Sequence, residues 1–142
     1  MKNVFVFLMS TALMTGMFGC AKSFDPSTYE FESPEHKILY DLIVERCDAI
    51  NDRDTERLKN IYAKESAEYD WLVSEWVPEY QRRGIFHTVV DVKKISIVEV
   101  DAVGTYVIRL AGQYGRRSPL GTVDVLYVKE DTEWKIVSVA EY

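Results

Sequence analysis

The sequence predicts an α+β domain in which N-terminal helices pack on a four-stranded antiparallel sheet. Three observations carry this. Apolar residues recur at helical spacing from Pro34 to Arg83, the pattern turns to alternation and Val/Ile-rich runs after Gly84, and 142 residues suit one domain. At 47% hydrophobic and 13% aromatic the chain is too apolar to be disordered, and seven Gly and four Pro exclude collagen-like and low-complexity classes. A net charge of −6 argues against a nucleic-acid partner, which needs a basic face. Two Cys do not make a disulfide framework.

Ser33-Pro34-Glu35 starts the first helix. Ser caps, Pro suits the first helical position, and the carboxylate favours the positive helix end. Leu39, Leu42, Ile43, Cys47 and Ile50 form its buried stripe, and it ends near Asn51-Asp52. Asp54 caps a short second helix with Leu58, Ile61 and Tyr62 inside. A third helix covers 66–83, kinked or split at Pro78, with Tyr69, Leu72, Val73, Trp76, Val77 and Tyr80 on one side and Trp71 on the other. Arg82-Arg83-Gly84 ends it. Strands follow over 87–100, with a bulge at Lys93-Lys94, and over 105–114, 122–128 and 134–140. Their connections fall at 101–104, 115–121 and 129–133. The last two strands are apolar on both faces, so the face away from the helices is a candidate homodimer surface.

Ahead of the domain, Met1-Lys2-Asn3 precedes an uncharged apolar and small stretch reaching Gly19, the layout of a secretory signal peptide. Met17-Phe18-Gly19-Cys20 resembles the lipobox of bacterial lipoproteins. That resemblance implies a signal peptide over 1–19, lipidation of Cys20, a tether over 20–32 and a folded domain over 33–142. Removing 1–19 takes away one Lys and no acid, leaving −7. Anionic headgroups would repel such a domain, so acyl chains must hold it at the membrane. Ala21 stands where inner-membrane retention places an Asp, which implies the periplasmic side of the outer membrane in a Gram-negative cell envelope.

Ile50-Asn51-Asp52-Arg53-Asp54, and the closing run from Val128-Lys129-Glu130 through Trp134-Lys135-Ile136 to Val139, resemble the NTF2-like superfamily over residues 34–142. The resemblance implies a curved, cystatin-like sheet wrapped around the first helix, with a pocket in its cone. Small bacterial lipoproteins of unassigned function often carry such a domain.

Arg46 is the unusual placement, because it interrupts the apolar stripe of the first helix. A guanidinium there either binds a carboxylate or phosphate ligand or pairs with an internal carboxylate such as Asp124. Tyr106 and Asp124 join it as candidate ligand residues lining the cone, with His87, Asp91 and Arg109 also on strands. Ketosteroid-isomerase-like relatives use an acidic base and a Tyr donor in such a cone. Packing beside Ile108 and Leu110 is the simpler account of Tyr106. Trp71 is either an interface residue or packs against Phe24 or Phe31. Cys47 reads as a buried inert thiol. His36 and His87 have no carboxylate or thiol cluster around them, so no metal is expected, and no motif points to a cofactor. Lys93-Lys94 and Arg116-Arg117 read as solvated loop and edge charges. The sequence therefore predicts a lipid-anchored envelope domain that binds a small ligand or an envelope protein without catalysis. A small acid–base enzyme of isomerase, dehydratase or hydrolase type and a homodimeric scaffold are the other readings.

Overall fold

The computed structural model describes residues 24–112 and 117–141. The expected signal peptide, Cys20 and Ala21, and positions 113–116, among them Tyr114 and Arg116, lie outside the described residues. Among those described, no helix is long and apolar enough to cross a membrane.

Helix α1 (Pro34–Asp52) begins as expected: Ser33 Oγ accepts from the His36 N–H and Pro34 occupies the first turn. It stops where Arg53 turns left-handed, φ 61°, and its N–H closes onto the Ala49 and Ile50 carbonyls. Helix α2 (Thr55–Ile61) is capped by Asp54, which accepts from the Arg57 N–H at 3.1 Å. Beyond it, Tyr62 forms one parallel bridge with Ile136, and the Ala63 N–H reaches the Ile136 carbonyl at 2.8 Å.

The expected third helix exists in three parts: α3 (Ala67–Trp71), a π-helical turn (Leu72–Trp76) and α4 (Val77–Arg83). Pro78 explains the interruption. It offers no N–H to the Ser74 carbonyl and its ring crowds that turn. The chain relieves this by adding a residue, and the Val77 N–H bonds back five positions to Leu72. Gly84, φ 61°, ends α4 as expected.

The four strands form one antiparallel sheet in sequence order: β1 (Phe86–Val98), β2 (Asp101–Ala111), β3 (Arg117–Glu130) and β4 (Glu133–Glu141). The predicted bulge appears as register shifts between Val89 and Asp91 and between Val92 and Lys94. The hairpin turns are tighter than predicted. The β1–β2 turn is Glu99-Val100, with Glu99 left-handed at φ 55°, and not residues 101–104. Gly104, taken as a turn residue, lies inside β2. A Cβ there would sit 2.3 Å from the Tyr106 hydroxyl, so glycine makes room for that ring. Likewise β3 starts at Arg117, before Gly121, and the last turn shrinks to Asp131-Thr132.

The helices cover one sheet face. Leu39, Ile43, Cys47 and Ile50 of α1 meet Tyr106, Ile108, Val123, Val125, Tyr127, Trp134 and Ile136, all buried. Val103, Leu120 and Leu126 project from the other face and stay exposed. The segment expected as a tether is, from Phe24 onward, packed on the domain: Phe24 and Phe31 lie 5.8 and 5.4 Å from the Tyr40 ring.

Candidate functional site around Arg46

Arg46 stays on the buried face of α1, with 7% of its surface exposed. Its Nε donates to the Tyr62 hydroxyl at 2.6 Å, which itself donates to Glu68 Oε1 at 2.7 Å. Arg46 Nη2 reaches the same oxygen at 3.5 Å. The second Glu68 oxygen accepts the Val139 N–H of β4. Four elements thus converge on one carboxylate, and both its oxygens are occupied by protein donors. Burial opposes the Arg46 charge, but the hydrogen bond to Tyr62 and the Glu68 carboxylate outweigh it and hold the guanidinium protonated. Burial raises the Tyr62 hydroxyl far above its usual range, so it remains a donor.

Beside this network lies a cavity of about 200 Å³. Arg46 and Glu68 form its base, and Trp71, Trp76 and Tyr80 one wall; Val139 and Glu141 lie opposite. The π-helical turn builds that wall. On an α-helix, residues five apart point about 140° away from each other. The extra residue brings them together, and the Trp71 and Trp76 rings meet edge to face at 5.0 Å. Trp76 continues to Tyr80 at 5.4 Å, and Tyr80 to His87 at 4.4 Å. Trp71 remains 54% exposed at the rim. Its neighbour is Trp76, and not Phe24 or Phe31.

His87 sits behind Tyr80, and its Nε2 makes no hydrogen bond within the structure. Asn51 fixes its backbone with a pair of 2.8 Å bonds. Burial, with the Arg46 charge second, lowers its pKa to about 4, so the ring is neutral near pH 7. Burial pushes Tyr80 up to about 12. Cys47 is raised to about 11, again by burial, and is a protonated core thiol.

The predicted trio of Arg46, Tyr106 and Asp124 is not brought together. Tyr106 points inward but is spent in the core: Tyr127 donates to the Leu39 carbonyl at 2.9 Å, and Tyr106 Oη lies 3.0 Å from Tyr127 Oη. Asp124 alternates with the buried Val123 and Val125 and so belongs to the opposite face, where Thr105 donates to it at 2.6 Å. Asp91 bonds Lys93 at 2.5 Å. The internal carboxylate for Arg46 is Glu68, which sequence reasoning did not select. An acid in a helix first turn is ordinary, and nothing local marks this one as buried. Among the described residues no group of three His, Cys, Asp or Glu could hold a metal ion.

No family model and no curated protein matches the chain. Solved structures do. A protein of unknown function with a cystatin-like fold from Nostoc punctiforme aligns over 80% of this chain and 93% of its own, at 11% identity and TM-score 0.67. An NTF2-like superfamily protein from Salmonella enterica serovar Typhimurium covers 75% and 88%, at 13% identity and TM-score 0.60. A candidate ketosteroid isomerase from Shewanella frigidimarina covers 72% and 92%, at 15% identity and TM-score 0.57. The chain has the NTF2-like, cystatin-like fold, and at these identities the likeness extends to fold alone.

Proposed function

We propose that the chain is a lipid-anchored cell-envelope protein whose NTF2-like domain holds a small ligand without transforming it. The observation that carries this is the cavity between Arg46 and the Trp71–Trp76–Tyr80 wall. Its volume is below the usual range for drug-sized ligands, which favours a fragment-sized molecule. Aromatic walls suit a flat apolar body. Arg46 uses Nε and Nη2 within the protein and has no hydrogen bond from Nη1 among the described residues, which suits one acceptor group on the ligand, such as a carboxylate. The groups that acid–base chemistry would need are committed elsewhere. Glu68 has both oxygens bonded, and His87 is neutral and screened by Tyr80.

Native mass spectrometry of residues 21–142, with benzoate as an added probe, tests the reading. A monomer carrying extra mass, or taking up benzoate with a change in tryptophan fluorescence, is expected. Trp71→Ala, at an exposed position, should weaken uptake about tenfold while leaving the fold intact. A bare monomer indifferent to benzoate would overturn the ligand reading. A bare dimer would instead favour self-association through exposed Val103, Leu120 and Leu126.

A further inference from the structure

We propose that the free edge of β1 docks an extended segment of a partner protein as a fifth strand, at Ile95 to Ile97, and selects a segment that reads apolar, acidic, apolar. This site shares no residue with the Arg46 cavity.

The two edges of the sheet differ. At the β4 edge the chain from Tyr62 to Glu68 takes up outward main-chain groups. The Ala63 N–H donates to the Ile136 carbonyl at 2.8 Å, the Ser66 hydroxyl to the Val137 carbonyl at 2.7 Å, and the Val139 N–H to Glu68. β1 is the other edge. On a strand, residues whose side chains share one face also turn their N–H and C=O to the same side. His87 faces the helices, against Tyr80, and Asn51 bonds both its main-chain groups on the side away from β2. Val92, Ile95 and Ile97 face the helices too, opposite Tyr106, Gly104 and Ala102, so their main-chain groups also point off the sheet. The two-residue turn gives the same answer. It closes on the pair Val98–Asp101, which is hydrogen-bonded in such hairpins, and so leaves the Ile97 and Ile95 groups out of the β2 ladder. Asp91 takes the Val92 N–H at 2.9 Å. For Ile95 and Ile97 no such partner is present among the described residues.

These N–H and C=O groups border a groove of about 400 Å³, with Tyr29, Phe31 and His36 on its other side. A strand laid along β1 would exchange main-chain bonds with both isoleucines. Residues directly opposite in a pair share a face, so the two side chains opposite Ile95 and Ile97 would enter beside the aromatic rings and must be apolar. The residue between them faces the other way, beside Lys94, which is exposed and forms no ion pair among the described residues. A carboxylate there meets it. Lys93, by contrast, is held by Asp91. Lysine on an edge strand deters pairing with a like edge. A second copy would bring its own Lys94 to this short ladder, whereas an acidic strand is drawn in.

The test titrates the full chain, in detergent, with a fluorescent peptide Ser-Thr-Val-Glu-Val-Thr-Ser. Anisotropy reads binding, and NMR follows amide exchange at Ile95 and Ile97. Saturable binding is expected, with exchange at both amides slowed about tenfold or more. Methylating the main-chain nitrogens of both peptide valines keeps the side chains and removes two donors, which should weaken binding about tenfold. Lys94→Glu should weaken the peptide several-fold, and should prefer the version carrying Lys in place of Glu. A methylated peptide that binds equally well overturns the strand ladder. Absence of saturable binding, or slowed exchange that spares these two amides, overturns the site. A Lys94→Glu chain with the parent's preference overturns the acidic residue as the one selected. Amides at 95 and 97 already protected in the peptide-free chain, increasingly so at higher protein concentration, would assign the edge to a second copy and overturn the partner.

Discussion

Along its first turns α1 buries Leu39, Tyr40 and Ile43 against the sheet; one turn further the same face buries Arg46. The first half contributes by removing apolar surface from water, about 1.5–3 kcal/mol for each large side chain, and any apolar neighbour will serve. The second half takes a guanidinium out of water, which costs several kcal/mol unless a partner of opposite charge meets it. Its partners come from Tyr62, Glu68 and, through the carboxylate, the Val139 N–H. The apolar half needs complementary volume. The charged half needs specific atoms from three other elements, and it is there that a cavity is left open.

That difference can be broken most forcefully at Glu68. Glu68→Ala strands Arg46, removes the acceptor of Tyr62 and orphans the Val139 N–H. It should cost about 3–5 kcal/mol in urea unfolding. Arg46→Met/Glu68→Leu, which removes both charges, should recover most of that loss. A double variant as unstable as the sum of its singles would mean that the two groups do not act as a unit.

Acid probes the same half. The His87 pKa lies near 4 in the fold against 6.5 for a free imidazole, with Arg46 and Tyr80 facing the ring. Above pH 6.5 the ring is neutral in both states and stability is complete. As pH falls from 6.5 towards 4 the unfolded chain takes up the proton and the native chain does not, so stability drops, by on the order of 3 kcal/mol in all. Carboxylates held low by their partners, Glu35 by Lys129 and Glu45 by Arg57, add to the loss as pH falls through the ordinary glutamate value of 4.5 and below, at the acid end of that window. Chemical denaturation at pH 7.5 and 5 should show the slope in the parent chain. His87→Phe should flatten it; an unchanged slope would assign it to other groups.

The smallest effect is expected in the apolar half. Gly104→Ala places a methyl group against the Tyr106 ring and should cost about 1–3 kcal/mol, read as a lowered Tm. Gly104→Ala/Tyr106→Leu should regain part of it, because volume is what matters there. No recovery would show that the Tyr106–Tyr127 hydroxyl contact carries more than packing does.

Elements were legible from sequence wherever one local rule decided them. Ser33-Pro34, Asp54 and Gly84 mark helix ends by capping chemistry alone, and their positions agree with the structure. The bulge near Lys93-Lys94 showed as a break in alternation. What local rules missed was decided at a distance. Gly104 has the composition of a turn residue, but its freedom is used to admit a ring two positions on. Phe24 and Phe31 sit in an aperiodic stretch, and Tyr40, which holds them, lies on α1. Of the candidate site, Arg46 was visible as a charge in an apolar stripe. Glu68 was not, because its burial depends on β4 closing over it. Helical geometry put Trp71 on the exposed side, where it is, but away from Trp76, which it touches, since that geometry holds only while the bonds skip four residues.

The π-helical turn has a consequence for how this wall can come and go. One surplus residue between Leu72 and Trp76, and Pro78 just behind it, separate it from an ordinary helix. Losing a single codon there and exchanging the proline would rewind the segment, swing Trp71 by about 100° and strip the rim from the cavity, while the sheet and α1 kept their contacts. The pocket is therefore a heritable option attached to a durable scaffold, to be gained or surrendered by two local changes.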